Sequence, residues 1–279
     1  MKRIITIQDI SCVGKCSLTV ALPVISACGV EASVIPTAML SAHTAFKDFT
    51  FCDLTDEIEP VAAHLKKEGI TFDAIYTGYL GSFRQLEIMN KFFDDFRTED
   101  NLIFIDPVMG DRGKLYPGFT QEFADSMAKL CAKADVIVPN LTEACYMLHE
   151  EYIESGYSEE YIKSILKKLG DLGCKNAVLT GVSFDDRTLG VMSYNKEKNE
   201  FTSYYTEKIN AGFHGTGDVF SSCCVGALMR GLTLEGALKT AANYTVASIK
   251  ATIKEENHNW YGVNFEEAIP TLLEELKKN

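Results

Sequence analysis

The sequence contains no apolar run near the roughly 18 residues that a membrane-spanning helix needs. Its opening, Met1-Lys2-Arg3-Ile4-Ile5-Thr6-Ile7, passes from charge straight into a short β-like run, whereas a secretory signal needs a longer apolar stretch and a small-residue cleavage site. It also lacks a basic patch: 27 Lys and Arg face 39 Asp and Glu, a net charge of −12, and the lysine pairs at 66–67, 167–168 and 277–278 sit among mixed charges. Such a balance repels nucleic acid and anionic lipid. Histidine is scarce, with five scattered residues and no H-E-x-x-H, so zinc has no support. The nine cysteines form no C-x-x-C and read as reduced thiols, mostly small core hydrophobes, of a cytoplasmic protein. Two nucleotide fingerprints are missing as well. Val13-Gly14-Lys15-Cys16-Ser17 fails as a P-loop because the upstream glycine would fall at Asp9 and a cysteine follows the lysine. No G-x-G-x-x-G follows the first strand, which removes the usual dehydrogenase signature.

What is present is alternation. Short β-branched runs at Ile4–Ile7, Val30–Ile35, Ala74–Thr77, Ile103–Ile105, Val136–Val138 and Ala177–Thr180 predict strands. Between them, helical spacing appears at Leu18, Ala21, Leu22, Ile25 and Cys28, and near 54–68, 82–97, 119–132 and 158–169. Continuous apolar strands separated by helices predict an α/β fold, a mainly parallel central sheet with helices on both faces. Leu189–Tyr194 and Phe201–Thr206, around a polar insert, predict a late antiparallel hairpin. Two long helices follow, with Val219, Phe220, Cys223, Cys224, Ala227 and Leu228 on one face, then Leu234, Leu238, Ala241, Thr245 and Ile249 on another; a last helix covers about 265–277. No linker-like segment or repeat divides the chain, so a single domain over 1–279 is expected.

In parallel α/β sheets ligands collect beyond the carboxyl ends of the strands, and that is where the unusual residues fall. Asn210-Ala211-Gly212-Phe213-His214-Gly215-Thr216-Gly217-Asp218 runs directly into a helix. Glycines there can turn backbone N–H groups toward one anion at the positive end of the helix. Asp218, in the first turn, can take a proton from a hydroxyl that attacks a phosphoryl group. Ser41-Ala42-His43-Thr44-Ala45-Phe46 follows the second strand, and Thr77-Gly78-Tyr79-Leu80-Gly81-Ser82 ends another; for His43 alone a structural role is the simpler expectation. Asp106-Pro107-Val108-Met109-Gly110-Asp111 brings acidic groups to a third strand end, and also has turn-forming residues. Asn140-Leu141-Thr142-Glu143 reads two ways: an amide and a carboxylate sharing a helix face before a hydrated Mg²⁺, or a helix cap with its reciprocal partner.

Taken together, Gly-Thr-Gly-Asp opening a late helix and these strand-end motifs resemble the ribokinase-like superfamily, and within it the pyridoxal kinase family. The resemblance runs from Ile4 to the last helix. It implies a three-layer α/β/α kinase that uses ATP to phosphorylate the 5′-hydroxymethyl group of vitamin B6. On this resemblance Asp218 is the base and Gly215, Thr216 and Gly217 complete the anion hole. His43 and Thr44 lie over the vitamin, Tyr79 packs against its ring, and Asp106, Asp111, Tyr116, Asn140, Glu143 and Thr180 lie at the ATP. Asn140, Glu143 and Asp106 are associated with Mg²⁺, and the family leaves room for a monovalent cation and expects a homodimer. One departure stands out: many members carry Gln-Ser after the first strand, whereas this chain has Gln8-Asp9-Ile10-Ser11. Either Asp9 meets the ring or Ser11 reaches it, so the preferred vitamer stays open. The rival readings are a hydroxymethylpyrimidine (phosphate) kinase of the same superfamily and a non-catalytic vitamin-binding protein.

Overall fold

The computed structural model describes residues 1–278, which group into two compact units, residues 1–78 with 209 onward, and residues 79–208. The first begins with β1 (Arg3–Ser11), α1 (Leu18–Ala27), β2 (Glu31–Leu40), β3 (Phe51–Asp53), α2 (Thr55–Lys67) and β4 (Ala74–Thr77). The second holds α3 (Phe83–Phe96), β5 (Leu102–Ile105), β6 (Gly110–Asp111), β7 (Lys114–Leu115), α4 (Gln121–Cys131), β8 (Val136–Ile137), α5 (Leu141–Leu148), α6 (Glu159–Leu172), β9 (Asn176–Val182), β10 (Thr188–Asn195) and β11 (Glu200–Glu207). The chain then returns to the first unit with α7 (Thr216–Met229), α8 (Leu234–Ile253) and α9 (Ile269–Lys278).

The expected fold class is the one adopted: α/β, mostly parallel strands, helices around them. In the first unit the strand order is β4-β1-β2-β3, with β1 parallel to both neighbours and β3 antiparallel to β2. In the second it is β5-β8-β9-β10-β11, where β5, β8 and β9 are parallel and β10 runs against β9 and β11. The late hairpin is therefore real, and besides the antiparallel join of β10 to β9 two short antiparallel pairings come in addition, β2 with β3 and the small β6–β7 hairpin. Both involve strands of two or three residues, too short to carry a periodicity. β2 continues five residues past the predicted end at Ile35, because Pro36 is accommodated next to a register slip at Asp9.

Burial follows residue type. Ile4, Ile5 and Ile7 of β1 and Ala74–Thr77 of β4 are wholly buried, which suits strands covered on both faces. Each buried aliphatic side chain stabilises by about 1.5–3 kcal/mol relative to exposure. Helix α7 departs from the single apolar face expected for it, since every residue from Val219 to Ala227 is buried, Ser221 and Ser222 included. Small residues explain this: a Cβ on Gly226 would stand 2.7 Å from Cys28 Sγ of α1, so glycine is what lets the two helices meet. On α8 the buried stripe is Ala237, Ala241, Tyr244, Ser248 and Thr252, while Thr245 and Ile249 are only half-buried. Leu238 and Ala241 of the predicted face are buried as expected, and the stripe then continues through Ser248 and Thr252 in place of Thr245 and Ile249; these hydroxyls donate to the carbonyls of Tyr244 and Ser248, which satisfies them in the core. Cys28, Cys131, Cys145, Cys174, Cys223 and Cys224 are buried free thiols, as expected of core cysteines. No described helix is long and apolar enough to cross a membrane.

One ion cluster, centred on the buried Asp135 with its cations reaching in from the surface, anchors the second unit. Asp135 takes both guanidinium nitrogens of Arg97 at 2.7 and 2.9 Å, the Ile103 N–H at 2.8 Å and Lys175 Nζ at 2.7 Å. Burial alone would raise its pKa, but Arg97, the Ile103 amide and Lys175 hold it below the ordinary value of 3.8. A depressed carboxyl contributes stability above the unfolded value and loses it as pH falls through the folded one. Asp135→Asn should therefore cost about 3 kcal/mol at pH 7. By urea denaturation that gap should narrow as pH drops below 3.8.

Candidate active site

In the first unit the site is built where α7 begins. Gly215 is its N-cap in the left-handed region, φ 78° and ψ 1°, and Asp218 lies in the first turn. The reason for glycine is a close backbone approach: a Cβ at Gly215 would stand 1.7 Å from the Lys15 carbonyl oxygen. The Gly-rich turn thus rests on the loop after β1, the segment Val13–Ser17 that fails as a P-loop. That loop is tightly folded itself. Gly14 has φ 130° and lies against the His43 ring, while Ser17 takes φ 49°. Lys15 ties it down by donating to Asn264 Oδ1 at 3.1 Å and Glu266 Oε2 at 2.8 Å.

Beneath this loop is a buried polar cluster. Asp9, only 6% exposed, accepts from Ser17 Oγ at 2.5 Å and from Ser11 Oγ at 3.2 Å. Ser17 stands at the N-cap position of α1 but caps nothing, since its hydroxyl is given to Asp9. Burial lifts the Asp9 carboxyl above its ordinary value, and the two serine hydroxyls pull it partway back. Cys16 joins the cluster: burial and then the negative charges of Asp218 and Asp9 push its thiol pKa up, so it stays protonated. The structure thus brings Asp9, Ser11 and Asp218 into one neighbourhood and adds Ser17 and Cys16. Sequence reading missed these two by testing their segment against a phosphate-loop template only.

His43 spends both ring nitrogens on the backbone, Nε2 with the Tyr261 carbonyl at 3.0 Å and Nδ1 accepting from the Ala45 N–H at 3.2 Å. Burial lowers its pKa and the neighbouring His214 lowers it further, outweighing the Tyr261 carbonyl. It is a fastener in a ring cluster, 4.9 Å from His214, 5.0 Å from Phe46 and 5.8 Å from Trp260 between centroids. Thr44 beside it is exposed. The signal for this cluster was present in the sequence as its single tryptophan, Trp260, and as His214 inside the Gly-rich motif.

The second unit holds the other candidates. Asn140 and Glu143 form the reciprocal cap of α5: Glu143 N–H donates to Asn140 Oδ1 at 3.0 Å and Asn140 N–H to Glu143 Oε2 at 2.9 Å. Glu143 Oε1 also accepts from Met109 N–H at 3.1 Å, and Asn140 Nδ2 donates to the Gly110 carbonyl at 2.8 Å. The cap therefore pins the segment after β5, on which Asp106 and Asp111 lie. Burial and then the charge of Asp106 drive the Glu143 pKa upward, against its three backbone hydrogen bonds. Two buried carboxylates within electrostatic reach of each other suit a divalent cation, and Mg²⁺ keeps most of its shell as water and phosphate oxygen. Among the described residues no group of three or more His, Cys, Asp or Glu could hold a metal unaided. Thr180 is bridged to Asn140 and its N–H donates to the Pro139 carbonyl. Tyr79 packs 5.8 Å from Phe119, with Gly81 leaving room for its hydroxyl, and Tyr116 is 41% exposed.

Parallel α/β architecture, an acidic residue in a glycine-opened helix turn, and a capped Asn-x-x-Glu beside buried carboxylates are the parts of a ribokinase-like small-molecule kinase. The family model described as phosphomethylpyrimidine kinase matches residues 21–262, and the chain belongs to this family, among its pyridoxal kinase relatives. A Bacteroides thetaiotaomicron protein assigned as a phosphomethylpyrimidine kinase, in a crystal form with pyridoxal, is 41% identical at a TM-score of 0.92 over 97% of this chain and 95% of that one. Pyridoxal kinase from Lactobacillus plantarum is 28% identical at a TM-score of 0.90, over 98% of this chain and 97% of its own. Pyridoxal kinase from Dictyostelium discoideum is 27% identical over 243 residues, 82% of this chain and 78% of that one.

Proposed function

We propose that this protein is an ATP-dependent kinase of vitamin B6 that phosphorylates the 5′-hydroxymethyl group. The observation that carries this is Asp218 in the first turn of α7, next to the buried Asp9 cluster, in a chain 41% identical to a protein crystallised with pyridoxal. Asp218 accepts the hydroxyl proton as the oxygen attacks the γ-phosphorus. The backbone amides of Gly215, Thr216, Gly217 and Asp218 point from the positive end of α7 and hold the negative charge that develops. Asp9 and Ser11 hold the polar edge of the vitamin, with Thr44 and Tyr79 as further contacts and His43 fixing the loop that carries Thr44. Asp106, Asp111, Tyr116, Asn140, Glu143 and Thr180 serve the nucleotide. Asp106, Glu143 and Asn140 would hold Mg²⁺, which supplies neutralisation of the phosphate oxygens when bound. The same reading takes residues 1–279 as one kinase domain working as a cytoplasmic homodimer. Val34, Met39 and Phe51, exposed on β2 and the edge strand β3, are apolar surface of the kind that subunit contacts cover.

The second reading, a hydroxymethylpyrimidine kinase, is favoured by the family description itself. ADP release from Mg-ATP with pyridoxal, pyridoxamine, pyridoxine and hydroxymethylpyrimidine at matched concentration separates the two. Turnover with B6 vitamers is the expected result, and turnover with the pyrimidine alone would replace the acceptor. Vitamin binding without ADP from any of the four would make the protein a binder.

A further inference from the structure

The β6–β7 hairpin, which carries Asp111 and leads into Tyr116, is attached to α5 at more points than the Asn140–Glu143 cap supplies. Thr142 Oγ1, almost wholly buried, accepts the Gly113 N–H at 2.8 Å. Tyr146 OH donates to the Gly113 carbonyl at 3.4 Å. Gly113 has φ 75°, and a Cβ there would stand 2.7 Å from the Tyr152 ring, so the ring closes over a residue that must be glycine. An open surface recess of about 360 Å³ is bordered by Gly113, Tyr146, Tyr152, Gln121 and Glu150.

We infer that Thr142 is a positioning residue for nucleotide binding: its hydroxyl, with Tyr152, fixes the hairpin turn and thereby the direction in which Asp111 and Tyr116 are presented. This rests on the kinase reading. Asn140 and Glu143 grip the near end of the hairpin through Gly110 and Met109, while Thr142 grips the far end through Gly113. The first turn of α5 therefore holds both ends of one short loop. Without the Thr142 hydroxyl, the Gly113 N–H loses its acceptor and the far end is released.

Thr142→Val keeps the shape and removes the acceptor. ADP affinity by calorimetry should weaken about tenfold, the scale of one buried hydrogen bond lost. The KM for ATP should rise by the same factor, with kcat and the KM for the vitamin within about twofold. Thr142→Ser should restore ADP affinity, which a loss of packing alone would not predict. Should Thr142→Val fail to fold, Gly113→Ala tests the contact from the hairpin side and should weaken ADP binding in the same way. Wild-type protein that binds no adenine nucleotide would overturn the kinase reading. Wild-type protein that binds ADP, alongside a folded Thr142→Val that binds it equally well, would overturn this inference alone. So would a vitamin KM that rises as much as the ATP KM.

Discussion

Asp218→Asn should reduce kcat by a factor of about 10³, within the range a positioned general base contributes. The substitution keeps the size of the side chain and the first-turn geometry of α7 but removes the carboxylate proposed to take the hydroxyl proton. The KM for ATP should change little, because the residues proposed to serve the nucleotide belong to the second unit, residues 79–208. Steady-state ADP release and calorimetric ADP binding check the two halves of this statement. Full activity in the asparagine variant would remove Asp218 from its role. A loss of ADP binding that equals the loss of rate would recast Asp218 as structural.

Gly215→Ala should be nearly as damaging, for a different reason. Its Cβ would enter the Lys15 carbonyl, a backbone atom that cannot rotate away, and the residue must also keep φ 78°. The turn has to lift off the loop, taking its amide donors with it. Loss of one such donor typically costs about 3 kcal/mol in the transition state, so kcat should fall by about 10²-fold or more. Strain of about 1–3 kcal/mol should also appear as a lower unfolding free energy. Gly217→Ala is the internal control, because nothing lies within 4 Å of a Cβ at that position. It sits inside the helix, where alanine in place of glycine gains about 0.5–1 kcal/mol of stability. If both variants lose stability equally, the Lys15 contact is not the reason for Gly215.

The contrast between those two glycines shows what a sequence reading reaches and where it stops. Gly-Thr-Gly-Asp was legible as a helix start with an acidic first turn because the pattern is local, four residues and one helix end. Strands such as Ala74–Thr77 were legible to the residue, since burial on both faces leaves an unbroken apolar run. The Lys15–Gly215 contact joins positions 200 apart in the chain, and no local pattern encodes it. For the same reason nothing in the sequence tied Ser17 to Asp9, to which its hydroxyl donates at 2.5 Å. Asn140 and Glu143 left two readings open, and the cap is what their hydrogen bonds form; the cation role remains a proposal built on the buried pair with Asp106. Thr142 lay inside that motif unremarked, because its partner Gly113 is a backbone amide on a hairpin too short to be predicted.

The order in which the two units are written along the chain bears on how the protein is made. The second unit is one continuous stretch, but the first is assembled from both ends of the sequence. At ribosomal speeds of about 5–20 residues per second, residues 209 onward emerge about 7–26 seconds after β4. During that interval α1 has no α7 to cover it, and Cys28 lacks the Gly226 notch it packs into. The Gly-rich turn and the loop it rests on thus meet only after the second unit has emerged, so a nascent chain released early leaves the apolar face of α1 bare.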